Sequence, residues 1–125
     1  MGTIQSFTDL EAWKQGHQLV LAVYKHTKNF PKEETFGLTA QIRRAAVSIT
    51  SNIAEGFSRY SYAEKKQFYA MSLGSLTEVQ NQLLIAKDVE YMPKNIFDEL
   101  AQLTVAVSKL LNGLLKKTKS IIHNS

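Results

Sequence analysis

Apolar residues recur at intervals of three and four along four long segments of the chain, the period of a helix rather than a strand. In the first, Leu10, Trp13, His17, Val20 and Tyr24 share a face. Thr8 and Glu11 have the spacing of a capping box and start the helix near Asp9. Pro31 ends it, and Gly37 marks a loop. In the second, Leu38, Ile42, Ala45, Ile49, Ile53 and Gly56 carry the repeat to about Arg59. Ser61 and Glu64 form another capping box after a very short turn. Phe68, Ser72, Ser75, Val79, Leu83 and Ala86 line the third segment. Pro93, suited to a first turn, opens the fourth, where Phe97, Leu100, Thr104, Val107, Leu111 and Leu114 alternate. The spacing predicts helices over 9–29, 38–59, 62–91 and 94–117.

The polar run "SITSNIAEGF" at 48–57 lies inside the second repeat, so it reads as helix interior and not as a glycine-rich phosphate loop. Gly56 there suits close helix packing or a loosened last turn. Short connections make sequential helices antiparallel neighbours. The expected fold is all-α: an antiparallel up-down four-helix bundle, one domain over 1–125, with short flexible tails at about 1–7 and 118–125.

A bundle helix needs one apolar stripe roughly 100° wide, and three of these helices exceed it. Ile96, Leu103, Leu110 and Leu115 widen the fourth; Ala40, Val47, Ala54 and Phe57 widen the second; Leu73 and Leu84 lie beside Tyr62 and Tyr69 on the third. A lateral second face is what a ring-like oligomer buries. Val47, Ala54, Phe57, Leu73 and Leu84 are the candidate interface residues.

Composition narrows the chemistry. The 125 residues include no cysteine, which excludes disulfides, thiol catalysis and cysteine-bound zinc. No apolar run reaches membrane-spanning length, and the N-terminal residues lack a secretory pattern, so a cytoplasmic location is expected. Met1-Gly2-Thr3 with Ser6 has the form of an acylation start, but a plain start is the better reading. His17 and His26 are nine residues apart, about 180° around one helix, and cannot share a metal; His123 lies in the tail. No glutamate has a histidine three residues on, as a di-iron bundle requires. Glu55 and Glu78 are conceivable as a carboxylate pair, but an ion-pair network around Glu55 with Arg44, Arg59, Ser48 and Ser51 is the better reading. The expectation is a non-enzymatic protein with no cofactor and no metal.

The formal charge is +4, which favours polyanionic partners. "RYSYAEKKQFY" interleaves Arg59, Lys65 and Lys66 with Tyr60, Tyr62 and Tyr69. Cations neutralise phosphates while tyrosine rings stack on unpaired bases. Arg43, Arg44, Lys116, Lys117 and Lys119 add charge elsewhere. The candidate nucleic-acid-binding set is Arg43, Arg44, Arg59, Tyr60, Tyr62, Lys65, Lys66, Lys116 and Lys117.

"FTDLEAW" at 7–13, "QIRRAAVSITSNIAEGF" at 41–57 and "SLGSLTEVQNQLLIA" at 72–86 resemble the 23S rRNA intervening-sequence protein family of bacterial four-helix bundles. Thr50 stands where that family often has proline, which implies a less kinked second helix. The family includes the accessory protein of diversity-generating retroelements, so the resemblance implies a basic homopentamer, with nucleic acid and a reverse transcriptase as partners. Two functions stand open at this point: an oligomeric RNA- or DNA-binding protein of low sequence specificity, and a protein scaffold for a nucleic-acid enzyme.

Overall fold

The computed structural model describes residues 3–124, so the glycine of the acylation motif lies outside the described residues. Among these residues the chain is all helix and turn, with no strand. Four helices carry it: α1 (Glu11–Thr27), α2 (Leu38–Ser58), α3 (Tyr62–Asp88) and α4 (Lys94–Asn124). Each helix packs on two neighbours, and α1 closes the square against α4.

Cross-helix contacts set the register. Ser48 Oγ lies 2.8 Å from Ser75 Oγ, Gln80 Nε2 donates to Thr104 Oγ1 at 3.2 Å, and His26 meets Glu99 at 3.3 Å. One pole therefore holds the α2–α3 turn, the start of α1 and the end of α4. The opposite pole holds the α1–α2 and α3–α4 loops.

The second, third and fourth repeats are the buried stripes they predict. Ile42, Ala45, Ile49 and Ile53 of α2, Val79, Leu83 and Ala86 of α3, and Leu100, Val107 and Leu111 of α4 form the core. The first differs. Val20 of the predicted face is buried, joined by Leu19 and Val23, and Leu10 and Trp13 pack against the core, whereas Tyr24 is exposed. Trp13 and His17 sit half-buried and stack on each other at 4.7 Å, with Phe7 edge-on to the indole. Aromatic rings at the start of α1 satisfy one another, and the helix turns its smaller apolar side inward.

The capping expectation also shifts. Ser6 and Asp9 form the box, with Ser6 Oγ accepting from Thr8 N and Asp9 accepting from Gln5 N and Ser6 N. They close a single 3-10 turn, Phe7–Asp9, before α1 begins two residues later than expected. Those amide donors hold the Asp9 carboxyl below its ordinary pKa. Ser61 caps α3 as expected, accepting from Glu64 N at 3.1 Å. α3 ends at Asp88 because Glu90 takes a left-handed φ of 66°. At the other extreme α4 continues through the stretch where a frayed tail is expected, and Thr118 is buried. Leu111, Leu115, Thr118 and Ile122 extend the repeat by four, three and four.

α2 runs unbroken through Thr50, and "SITSN" becomes a polar seam against α3. Asn52 Nδ2 donates to Ser48 O and Ser48 Oγ, and the buried Ser72 Oγ donates to Ile49 O at 2.7 Å. A Cβ on Gly56 would lie 2.7 Å from the Tyr69 ring and 3.1 Å from Phe68 Cβ. Gly56 is therefore there for close approach, and the buried Tyr69 hydroxyl has its pKa raised to about 12, chiefly by desolvation.

At the opposite pole Glu34 joins the two loops, accepting from Leu38 N at 3.0 Å and from Tyr91 Oη at 2.9 Å. The amide of Leu38, then the tyrosine hydroxyl, hold its carboxyl below the ordinary glutamate value.

Two outcomes follow for stability. Gly56→Ala lowers unfolding free energy by about 1–3 kcal/mol through overpacking, whereas Gly74→Ala, whose Cβ meets nothing within 4 Å, raises it by up to about 1 kcal/mol; urea unfolding checks both. Glu34 has a depressed folded pKa, so its contribution is present above the ordinary glutamate range and is lost as pH falls through the folded value. The stability difference between the wild type and Glu34→Gln is thus expected to be largest near neutrality and to shrink in acid, as read by thermal unfolding over pH.

Candidate nucleic-acid interface

The nine candidate binding residues do not form one surface. Arg43 Nε donates to Thr27 Oγ1 at 2.8 Å, and its guanidinium lies 4.8 Å from the centre of the Tyr24 ring. It ties α2 to α1 near the loop pole. Arg44, exposed, stands level with Glu78 by the Ser48–Ser75 register and lines a shallow cleft with Gln41, Ser48, Ser75 and Gln82. Along α3 that level is twelve residues from Lys66, about 18 Å at the helical rise. Arg43 and Arg44 are therefore remote from the rest of the set.

At the α2–α3 turn, two of the expected cations serve the fold. Lys65 Nζ donates to Phe57 O at 2.7 Å and to Gly56 O at 3.4 Å in α2's last turn, where Gly56 O also accepts from Arg59 N at 3.2 Å. Its stem covers Phe57, with the ammonium 5.4 Å from that ring and 5.8 Å from Tyr62. Burial lowers the Lys65 pKa. Arg59 pairs with Glu55 at 2.9 Å and lies over Phe68 at 4.7 Å, its Nε buried without a partner. Of the network expected around Glu55, only the pair with Arg59 forms among the described residues; Arg44 lies in the cleft with no ion pair and Ser48 belongs to the α2–α3 seam.

The remaining members are open. Tyr60 is 100% exposed, and Tyr62, Lys66, Lys116 and Lys117 are exposed too. Among the described residues Arg44, Lys66, Lys116 and Lys117 make no ion pair. The Gln80–Thr104 register places Lys66 level with residues 117–119 of α4. The α2–α3 turn and the end of α4 thus come to one pole.

That pole carries the net charge. Residues 3–19, 49–75 and 107–124 hold eight Lys and Arg against four Asp and Glu; residues 20–48 and 76–106 hold seven against seven. The whole excess of +4 therefore belongs to the half of the bundle nearest the α2–α3 turn. The stretches contribute unequally: residues 107–124 carry four lysines and no acid, residues 49–75 a net +1 and residues 3–19 a net −1.

The carboxylates do not converge. Glu55 and Glu78 are exposed, and the register separates their levels by about ten residues of α3, roughly 15 Å. Among the described residues no three His, Asp or Glu side chains gather as a metal site, and no helix is long and apolar enough to cross a membrane.

The candidate interface residues divide as well. Val47 and Leu84 are exposed, Ala54 and Phe57 are half-buried, and Leu73 packs against the core. Ile96, Leu103 and Leu110 also pack there, so part of the apparent apolar excess is absorbed within the bundle.

Fold and charge define a small helical-bundle protein with one basic pole. The chain belongs to the 23S rRNA-intervening sequence protein family, matching it over residues 8–113. A crystal structure of a protein of unknown function from the S23 ribosomal protein family of Bacteroides thetaiotaomicron has the same fold. It aligns at a TM-score of 0.76 and 21% identity, covering 84% of this chain and 98% of that one. No curated protein matches the chain.

Lys65 caps α2, so Lys65→Ala costs roughly 1 kcal/mol of stability through the Phe57 carbonyl that loses its ammonium donor, while Lys66→Ala leaves stability within about 0.5 kcal/mol. Paired denaturant titrations check the contrast.

Proposed function

We propose that this protein is a non-enzymatic, self-assembling bundle that binds RNA or DNA with little sequence preference through its basic pole. The observation that carries the reading is the charge division just described: all of the excess of +4 lies in one half, where Lys66, Lys116 and Lys117 are exposed. A phosphate backbone is drawn to such a pole without base readout. The exposed rings of Tyr60 and Tyr62 offer stacking platforms and favour single strands.

One copy presents few cations, so binding by a single bundle is weak. Repetition around an oligomer multiplies the field and supplies avidity. The exposed Tyr24, Phe36 and Val47 on the α1–α2 side, with Leu84 and Val105 on the α3–α4 side, support assembly through two different faces. Unlike faces give head-to-tail rings; we take five copies as the count, which the family resemblance implies.

Fluorescence titration of a labelled single strand and a duplex tests the reading. Affinity is expected to fall by roughly a hundredfold or more between about 50 and 200 mM salt if about six phosphates are neutralised across the assembly. Lys66→Glu with Lys116→Glu and Lys117→Glu abolishes binding, whereas Lys25→Glu with Lys28→Glu and Lys32→Glu at the other pole retains it. Absence of binding at low salt, or equal losses in the two variants, overturns the proposal.

A further inference from the structure

Two large side chains stand almost wholly outside the fold, Tyr60 at the basic pole and Phe36 on the side of the bundle. Phe36, in the loop before α2, is 95% exposed. Its chain neighbours Thr35 and Gly37 carry no charge. On the opposite side of the square, α3 and α4 enclose an apolar groove of about 190 Å³, lined by Leu83, Leu84, Phe97, Ala101 and Val105 with the ends of Gln80 and Thr104. No charged residue lines it, so it offers nothing to a phosphate and suits an aromatic ring.

The levels also agree. By the Ser48–Ser75 register Leu84 stands level with Thr39, three residues beyond Phe36. A ring built by rotation about an axis parallel to the helices has no rise from copy to copy. Complementary features must then lie at one height on opposite sides, as these do. We propose that Phe36 of one copy seats in the α3–α4 groove of the next copy, the repeating contact of a head-to-tail ring. The inference rests on the self-assembly reading above and specifies its interface.

The absence of cysteine makes the contact directly testable. In a Thr35→Cys, Val105→Cys double variant, which keeps the Phe36 ring and places one thiol beside it, a short bismaleimide is expected to yield a ladder of covalent multimers. Each single variant alone should give none, whereas an equimolar mixture of the two should give linked dimers. The two sites lie on opposite sides of one bundle, so linkage within a chain does not compete. Phe36→Ser, which alters only an exposed residue, is expected to weaken self-association at least about tenfold with unchanged helicity, as for a buried aromatic anchor.

Linkage in a single variant indicates a self-facing contact and overturns the proposal. Absence of linkage in a double variant that light scattering shows to be assembled overturns it too, leaving self-assembly in place through another surface or partner. A wild-type chain that is monomeric at micromolar concentration overturns both readings, and nucleic-acid titration of that monomer separately decides the basic pole. Unchanged assembly by Phe36→Ser is likewise decisive against the contact.

Discussion

The close approach of α2 and α3 is the constraint on which the rest of the bundle depends. It exists because small or hydroxylated residues meet where bulky ones would hold the helices apart. Gly56 leaves room for the Tyr69 ring, Ser72 donates its hydroxyl across the interface to Ile49 O, and Ser48 meets Ser75. A serine inside a helix ordinarily bonds back to its own preceding turn. Here Ser72 spends its hydroxyl on the neighbouring helix, and a buried hydroxyl deprived of that acceptor would bear a desolvation penalty of about 1–3 kcal/mol. The seam therefore fixes rotation and register together. From that register follow the short turn at residues 59–61, the capping of α2 by Lys65 and the placing of Tyr60 outside the fold.

The fold was legible in the sequence wherever burial selects aliphatic residues at helical spacing, as it does at Ile42, Ile49 and Ile53. Family membership was legible in the same segment, since "SITSNIAEGF" encodes the seam as well as the core. The face of α1 was not. Trp13, His17 and Tyr24 also fall at helical spacing, and periodicity cannot tell a ring that packs on another ring at the surface from one that enters the core. The end of α4 was misread for a related reason: lysines at 116, 117 and 119 mask an apolar repeat that continues through Thr118.

The basic set shows a different limit. Sequence supplies charges but not what each charge touches. Lys65 and Lys66 are adjacent, yet one faces the carbonyls ending α2 while the other is exposed. Arg43 and Arg44 divide in the same way, between a hydrogen bond to Thr27 and a surface cleft. Adjacent residues on a helix point about 100° apart, so in each pair one member faces a neighbouring helix and the other does not. Each of these two doublets thus offers one cation to a polyanion more readily than two, whereas Lys116 and Lys117 near the end of α4 are both exposed.

Helix length then decides where the surviving charges go. α1 has 17 residues and α4 has 31, about 26 and 46 Å at the helical rise. The His26–Glu99 contact places the first residue of α1 level with about residue 114 of α4. The lysines at 116, 117 and 119 therefore lie beyond the first turn of α1, at the level of the capped 3-10 turn and below it. Lys117 borders a shallow cleft with Leu10, Glu11 and Ala12 at the start of α1, while Lys116 and Lys119 lie past that start, and all three side chains are exposed. The same excess length that the sequence disguised as a tail holds the charge on a rigid helix, so it reaches outward at a fixed position relative to Lys66. The exposed apolar side chains on the sides of the bundle, Tyr24, Phe36, Val47, Leu84 and Val105, are separate from that pole. The proposed assembly through the sides and the proposed polyanion binding at the pole are therefore compatible, because neither buries the other's groups.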